Sequence, residues 1–393
     1  MTKRFIGDIL MFILWMPFFA SSIDTFVDFT FIGNKVTQLT WLVSIGCSIF
    51  VFIQKSSPIV IKQTFVLAMW LSLYGVIHLI FGQNINTGDR VVPTSEYLVG
   101  IVSSMFPLFF IYYFSYKGYI TEDTIRKWSV LFIITVIFSY FNSIREMRYI
   151  SDLERYTNNI GYVFLRSLPF LFFWYRKPVL QYVIFILYGL FIINSLKRGP
   201  ILIWLILFII YAYNNLKTIK KQKYSTRLIL YALPVFVLSA SIYYINNELI
   251  NNEGLMNRLN ATIEGNDSGR TEIYSTILKI FCSDSNLFQI IFGHGADSTL
   301  SFLNIHAHND WLELLMNQGF IGVVLYLFYY IAIFKQIRKT NNPLARKLLF
   351  NIFIIILLTS IFSMSYMAYD SSIHIIMGYG IYRSCVSTKR SIG

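Results

Sequence analysis

The chain has 393 residues, of which 55% are hydrophobic and 13% are charged, and its formal net charge is +13. A soluble globular chain carries roughly a quarter charged residues, so this composition excludes an ordinary water-soluble protein. A net positive charge is also typical of nucleic-acid-binding proteins, but the charge follows the membrane topology predicted below and no basic-aromatic interleaving occurs. The sequence therefore predicts no nucleic-acid partner.

Twelve apolar runs follow one another along the chain, each of roughly the length that crosses a bilayer as a helix. They lie at about 5–22, 37–53, 64–82, 97–116, 127–143, 159–175, 179–195, 199–213, 227–245, 312–334, 347–365 and 372–387. The sequence thus predicts an all-α integral membrane protein with about 12 transmembrane helices. The first run also has the outline of a signal peptide, and its cleavage would leave the orientation of the rest unchanged.

The distribution of Lys and Arg predicts which side of the membrane each loop occupies. With the N-terminus in the cytoplasm, the inner loops and tails hold 22 Lys and Arg against 3 acids, and the outer side holds 11 against 17. An excess of Lys and Arg on the inner side is the rule for membrane proteins. We therefore expect both termini to be cytoplasmic, with the two most basic stretches, 217–227 and 335–347, near the anionic lipid headgroups of the bilayer.

One large extracytoplasmic loop, residues 246–311, is predicted between helices 9 and 10. It divides the chain into 1–245 with helices 1–9, the loop itself with the candidate catalytic motifs, and 312–393 with helices 10–12 and the cytoplasmic tail. The stretch "RTEIYSTILKIF" predicts a helix over 270–281, with Asp267 and Ser268 as candidate N-caps. Four apolar residues are expected on one face of it, Ile273, Ile277, Leu278 and Phe281.

Four cations on the predicted outer side are candidates for binding an anion. Arg166 lies inside span six, Lys197 and Arg198 end the hairpin between spans seven and eight, and Arg270 begins the loop helix. Each also has an ordinary interpretation, as a snorkelling, headgroup-contacting or solvated side chain. Together they predict a pyrophosphate-binding site, because guanidinium groups bind phosphate oxygens bidentately.

Three of the five histidines, His294, His306 and His308, fall within fifteen residues at the end of the loop. They could ligate zinc, although the carboxylate ligand and the His-Glu-x-x-His helix of zinc hydrolases are missing. Alternatively, His308 and Asn309 could cap span ten. A third interpretation is a general base, because neutral imidazole accepts a proton near pH 7.

The stretch "AHNDWLELLMNQGFIGVVLYL" resembles the His-Asn and Gly-x-x-Gly motif of the O-antigen polymerase and O-antigen ligase superfamily. In the same order, "SLKRGP", "SGRTEIY" and "FGHG" resemble the Ser-Arg-Gly, Arg-containing and Gly-x-Gly motifs of that superfamily, and "SLKRGP" departs from the tightest form at Leu196 and Lys197. The resemblance covers about residues 190 to 335, whereas the first half of the chain matches in hydropathy alone.

The resemblance implies a metal-independent, inverting glycosyltransferase of the bacterial inner membrane, with its active site facing the periplasm or cell exterior and without a cofactor. The implied donor is a glycan on undecaprenyl pyrophosphate. His308 would deprotonate the acceptor hydroxyl, and Arg270 and Arg198 would stabilise the leaving pyrophosphate. Further substrate-binding residues are expected at four positions, Asn309, His306, Arg166 and Lys197.

The sequence of the histidine motif resembles polymerases more than ligases. A polymerase extends a glycan on the lipid carrier, whereas a ligase transfers the glycan to lipid A-core. A chain-length regulator is then the expected protein partner. A flippase or transporter of lipid-linked sugars is the remaining alternative. Acidic residues are absent from the middle of every predicted span, which argues against an ion-coupled carrier.

The predicted topology can be tested by labelling single cysteines introduced after Lys223 and after Asn257 in intact cells. We expect a membrane-impermeant thiol reagent to label the second position and not the first, because the charge distribution places them on opposite sides. Labelling of both from the same side would contradict the topology.

Overall fold

The computed structural model describes residues 2–23, 30–88, 91–149, 159–195, 197–219, 269–367 and 371–390, together with scattered positions between 223 and 243. Most of the predicted span 227–245 and the outer loop up to residue 268 therefore lie outside the described residues.

The helices before the predicted loop are α1 (Lys3–Ile23), α2 (Thr30–Ile53), α3 (Ile59–Phe81), α4 (Glu96–Met105), α5 (Pro107–Tyr116), α6 (Glu122–Tyr149), α7 (Ile160–Ser167), α8 (Pro178–Asn194) and α9 (Arg198–Ile219). A 3₁₀ helix, Leu168–Trp174, continues α7. The later helices are α10 (Arg270–Lys279), α11 (Leu287–Phe292), α12 (Ser298–Leu303), α13 (Asp310–Lys339), α14 (Pro343–Phe362) and α15 (Ser372–Arg390), and a π-helical turn, Ile280–Asp284, continues α10. Strands β1 (Ile85–Asn86) and β2 (Val91–Val92) form a short antiparallel hairpin.

Six helical segments among the described residues are long and apolar enough to cross a membrane. They are Lys35–Ile53, Ile59–Phe81, Glu96–Tyr116, Glu122–Ser143, Asp310–Lys339 and Pro343–Phe362. Three shorter apolar helices, Ile160–Trp174, Val179–Asn194 and Arg198–Tyr211, occupy further predicted spans. This architecture fits an all-α membrane protein, while the count of twelve spans and the outer loop stay predictions.

The chain forms two compact units. Unit 1 comprises Met1–Pro17, Ile32–Thr121 and Gly269–Gly393, and unit 2 comprises Phe18–Phe31 and Glu122–Ser268. Each unit combines segments that lie far apart in the sequence. The predicted loop helix α10, for example, belongs to the same unit as α3 to α5. The division predicted from the sequence, at residues 245 and 311, stays a prediction.

Aromatic rings fill the core of unit 2. Phe164 stacks on Phe191 at a centroid distance of 5.1 Å, and Trp204 stacks on Phe208 at 5.3 Å. Gly189 makes room for this core, because a Cβ atom there would lie 2.1 Å from the Trp204 ring. In unit 1, Gly378 of α15 approaches the backbone of α5 similarly closely, since its Cβ would lie 2.4 Å from the carbonyl oxygen of Leu108.

Helix α13 is broken inside the membrane-length segment at Gly319, whose φ of 63° is left-handed. The turn formed by residues 293–295 packs into this break. His294 N donates to Met316 O at 2.8 Å, and Gly295 N donates to Asn317 O at 3.1 Å. Carbonyls at the end of a helical segment have no partner within their own helix, and here the glycine turn supplies the donors. The "FGHG" and "NQGFIG" motifs are thus two halves of one backbone contact.

Gly319→Ala tests this contact. A Cβ at position 319 would lie 2.5 Å from Gly293 N and 2.6 Å from Ile291 O, and the left-handed φ adds strain. We expect a loss of about 3 kcal/mol or more in the free energy of unfolding, measured in detergent. Gly46→Ala in α2 is the matched control. A Cβ there meets no heavy atom within 4 Å, so the control should be neutral or slightly stabilised. Equal losses in both variants would contradict the account.

Candidate functional site

Residues 304–309, the histidine segment, connect α12 to α13, and Asn309 caps α13. Its Oδ1 accepts hydrogen bonds from Trp311 N at 2.9 Å and Leu312 N at 3.2 Å, while its Nδ2 donates to Ile361 O at 3.3 Å. Such a cap satisfies backbone N–H groups that the helix itself leaves unpaired. The structural interpretation of the His-Asn pair is therefore correct for Asn309, whose predicted role in substrate binding stays a prediction.

His308 directly precedes this cap and has a left-handed backbone, with φ of 52°. Non-glycine residues rarely adopt positive φ, and such strain persists only where the surrounding structure imposes it. The side chain is half-buried. His308 is therefore held in a costly conformation between α12 and α13, and a conformation of this kind is found preferentially at functional sites.

The carboxylate of Glu313, fully buried in the first turn of α13, ties this region together. Its Oε2 accepts from Ala307 N at 2.9 Å, and its Oε1 accepts from Asn317 Nδ2 at 3.2 Å and from the hydroxyl of Thr299. His306 Nδ1 lies 3.4 Å from the same Oε1. Donors from three segments, α12, the histidine segment and the second turn of α13, thus converge on one carboxylate.

The pair of His306 and Glu313 affects the proton affinity of the imidazole. Burial alone would lower the pKa of His306, but the hydrogen bond and charge of Glu313, with smaller effects from Asp297 and Glu96, raise it above its ordinary value. By contrast, burial lowers the pKa of His294. His306 is therefore expected to keep its proton to a higher pH than His294.

Asp297 is a buried carboxyl group that sequence reasoning missed. It is the N-cap of α12, with a left-handed φ of 54°. Asp297 is 1% exposed, and its Oδ1 has no hydrogen-bond partner among the described residues. Burial raises the pKa of Asp297 to about 7; His306 opposes this shift, and Glu313 and Glu96 add to it. Asp297 is thus partly protonated at neutral pH.

Asp310 is a second fully buried carboxylate at the start of α13. It accepts hydrogen bonds from Tyr326 OH at 2.6 Å, from Ser365 N at 2.8 Å and from the Ser365 hydroxyl. Asp310 and Glu313 are the acidic rivals of His308 for the role of general base in this part of the sequence. Both are enclosed by protein donors, and His308 is the more accessible group.

Helix α10, which Arg270 begins, packs beside the histidine segment. Ile277 on α10 forms a buried cluster with Ala307 and Met316, and partly buried residues surround it at Ile273, Ile280, Phe281, Leu303 and Leu312. The predicted apolar face is therefore correct at three positions and wrong at Leu278, which is 46% exposed and is replaced in the cluster by Ile280.

Arg270 occupies the first position of α10 and is partly exposed. The residue before it, Gly269, is the N-cap in a left-handed conformation, with φ of 77°. The candidate caps Asp267 and Ser268 lie outside the described residues. Through Ile277 and Ala307, the helix that carries Arg270 contacts the segment between His306 and His308.

The other three predicted cations belong to unit 2. Arg198 is the first residue of α9 and is exposed, and Lys197 directly precedes it. Arg166 lies in the last turn of α7, and its buried Nε has no hydrogen-bond partner among the described residues. Arg198 is thus the first residue of α9, and Arg270 is the first residue of α10. At the first turn of a helix, backbone N–H groups also favour an anion.

The zinc alternative stays a prediction; within the part of the chain that the structure describes, no group of three or more His, Cys, Asp or Glu side chains is placed to hold a metal ion. His294 Nε2 lies 2.8 Å from the hydroxyl of Ser285, and its ring packs edge-on against Phe302. His294 therefore helps to build the turn that enters the α13 break.

The polar residues of α13 carried a signal that could have identified this network from the sequence. Asn317 and Gln318 are fully buried within a membrane-length segment, where polar side chains are costly unless paired. Asn317 Oδ1 accepts from Ser298 Oγ at 2.7 Å, and Asn317 Nδ2 donates to Tyr366 OH at 3.2 Å. Their partners come from distant parts of the chain and could not be assigned from spacing.

Asp297→Asn tests the buried carboxyl group. Its raised pKa means that ionisation costs stability, progressively between about pH 4 and pH 7. We expect the variant to gain up to a few kcal/mol in unfolding free energy at pH 8 and much less near pH 4. Asn also tolerates the left-handed backbone. The exposed Asp284→Asn is the control, and a gain in stability that did not depend on pH would contradict the assignment.

Residues 183–327 match a family model described as O-antigen ligase, and they include the motifs from Arg198 to Gly322. No curated protein matches the chain. The matched segment contains α13 as far as Leu327, α10 to α12, and most of α8 and all of α9. The family match, together with the helical apolar architecture, supports the placement of this chain in the superfamily of O-antigen ligases and polymerases.

Proposed function

We propose that this protein polymerises a bacterial surface polysaccharide, an O-antigen or a capsule. It would transfer a glycan from undecaprenyl pyrophosphate onto the non-reducing end of another lipid-linked repeat unit. The family match supports the broader role in surface polysaccharide synthesis. We prefer a polymerase to a ligase because of the sequence of the histidine motif, "HNDWLELLMNQGFIG".

The observation that carries the proposal is the position of His308 in unit 1. A strained, half-buried histidine precedes the first turn of α13, and α10 brings Arg270 to the same unit and packs on the adjoining Ala307. A base and an anion-binding group are what glycosyl transfer from a pyrophosphate requires, because a proton leaves the nucleophile while negative charge develops on the leaving group.

In the proposed reaction, His308 accepts the proton of the acceptor hydroxyl while its oxygen attacks the anomeric carbon of the donor sugar. The bond between that carbon and the pyrophosphate oxygen breaks, with inversion, and undecaprenyl pyrophosphate leaves with the electron pair. Arg270 and Arg198 stabilise the charge on this leaving group. Lys197 and Arg166 are proposed to bind the donor. No metal ion or other cofactor takes part in this scheme.

The proposal places the protein in the bacterial inner membrane with the reaction on its outer face. The predicted topology supports this, because it assigns the motif-bearing loop to the outer side. A chain-length regulator is the proposed protein partner. A ligase uses the same donor and a lipid A-core acceptor, and a flippase would move the donor without breaking a glycosidic bond.

A reconstituted assay distinguishes the three functions. The purified protein is given lipid-linked repeat units alone, or with lipid A-core, and the products are separated by chain length. A polymerase makes a ladder of longer glycans on the lipid carrier without lipid A-core. Transfer only to lipid A-core would indicate the ligase, and unchanged repeat units that cross the membrane of a vesicle would indicate the flippase.

His308→Ala should lower the rate of polymer formation by about 10² to 10⁴ and leave the protein inserted and folded, because general-base catalysis is typically worth that much. His78→Ala, the same change in α3, is the matched control and should retain the rate of the wild type. Normal polymer formation by the His308 variant would contradict the role of His308 as the general base. Parallel thermal unfolding in detergent separates loss of catalysis from loss of the fold.

A further inference from the structure

The carboxylate of Glu313 is enclosed by protein, and His306 is an ion-pair partner of it when the imidazole is protonated. The remaining donors to it, Ala307 N, Asn317 Nδ2 and the hydroxyl of Thr299, are neutral. An ionised carboxylate without water is costly unless it is both hydrogen-bonded and compensated by an opposite charge. This arrangement favours an imidazolium at position 306.

The other side of the His306 ring is available to a ligand. The side chain is 32% exposed, and its contact with Glu313 uses Nδ1. In an imidazolium both ring nitrogens carry a proton, so Nε2–H is a charged hydrogen-bond donor directed away from the carboxylate.

We propose that His306 and Glu313 form an imidazolium–carboxylate pair whose Nε2–H donates a hydrogen bond to a pyrophosphate oxygen of the lipid-linked substrate. The proposal rests on the function proposed above. His306 is then a binding residue for the pyrophosphate, and Glu313 is a positioning residue that acts through it. Charge-assisted bonds of this kind to phosphate are among the stronger hydrogen bonds in proteins.

Glu313 also positions the neighbouring base. Its Oε2 accepts a hydrogen bond from Ala307 N, and Ala307 lies between His306 and His308. The left-handed conformation of His308 is therefore anchored to the same carboxylate that keeps His306 charged. One buried carboxylate thus contacts both His306 and the residue that directly precedes His308.

The charged groups around His306 act in one direction. Glu313 lies on α13, Asp297 precedes α12 and Glu96 begins α4, and all three raise the pKa of the imidazole, against the effect of burial. The charge on His306 should therefore persist to a pH above the ordinary histidine value and be lost as the pH rises through its raised pKa.

The test is binding of dimethyl pyrophosphate, with one methyl group on each phosphate, to the purified protein by calorimetry in detergent. Like the lipid-linked donor, this diester keeps its charge over roughly pH 5 to 9, so a pH dependence reports on the protein. We expect the affinity of the wild type for dimethyl pyrophosphate to fall as the pH rises, with a midpoint above pH 6.5. His306→Gln should weaken binding about tenfold at low pH, and the affinity of this variant should no longer depend on pH. Wild-type affinity in that variant would overturn the proposal.

Glu313→Gln should move the midpoint to lower pH, and the exposed Glu272→Gln is its matched control. Since Glu313→Gln can fail to fold, NMR titration of the His306 ring in the wild type, assigned with His306→Gln, gives an independent measurement. A pKa of His306 at or below 6.5 would overturn the proposal. Neither measurement involves turnover, so binding can succeed where polymerase activity fails, and the two proposals are tested separately.

Discussion

The candidate site depends on the backbone contact between the break in α13 and the turn at residues 293–295. A continuous helix would leave no free carbonyl for this turn, and a side chain on Gly293 or Gly319 would separate the two segments. The break supplies acceptors at Met316 and Asn317, and the turn supplies the donors. Because the turn leads into α12 and then into the histidine segment, this contact fixes where both begin.

On that framework, buried carboxylates determine how the histidines are presented. Glu313 and Asp310 lie in the first turn of α13, where the helix dipole favours negative charge, yet neither faces solvent. Each accepts hydrogen bonds from hydroxyl and backbone N–H groups of the protein, Glu313 from Thr299 and Ala307 and Asp310 from Tyr326 and Ser365. Their side chains are enclosed by protein, whereas His306 and His308 are partly exposed.

The two proposals assign different chemistry to neighbouring histidines, and the environment provides a physical basis for the difference. His306 faces a buried carboxylate and is stabilised as a cation, whereas a general base must be uncharged when it accepts a proton. The Glu313 carboxylate, four residues beyond Asn309, contacts His306 and Ala307 N, and Ala307 directly precedes His308.

The sequence alone determined the apolar, helical, membrane-embedded character of the chain, the order of the motifs and the identity of His308 and Arg270 as candidates. These properties depend on composition and local spacing, which hold in any tertiary arrangement. It also predicted the loop helix, but placed Leu278 in its buried face, because several helical faces were apolar enough and only the position of Ala307 and Met316 selects among them. The break at Gly319, the burial of Asp297 and the pairing of Glu313 with His306 were decided by tertiary structure. Each depends on which distant segments supply a hydrogen-bond partner or exclude water, and no periodicity along the chain encodes that.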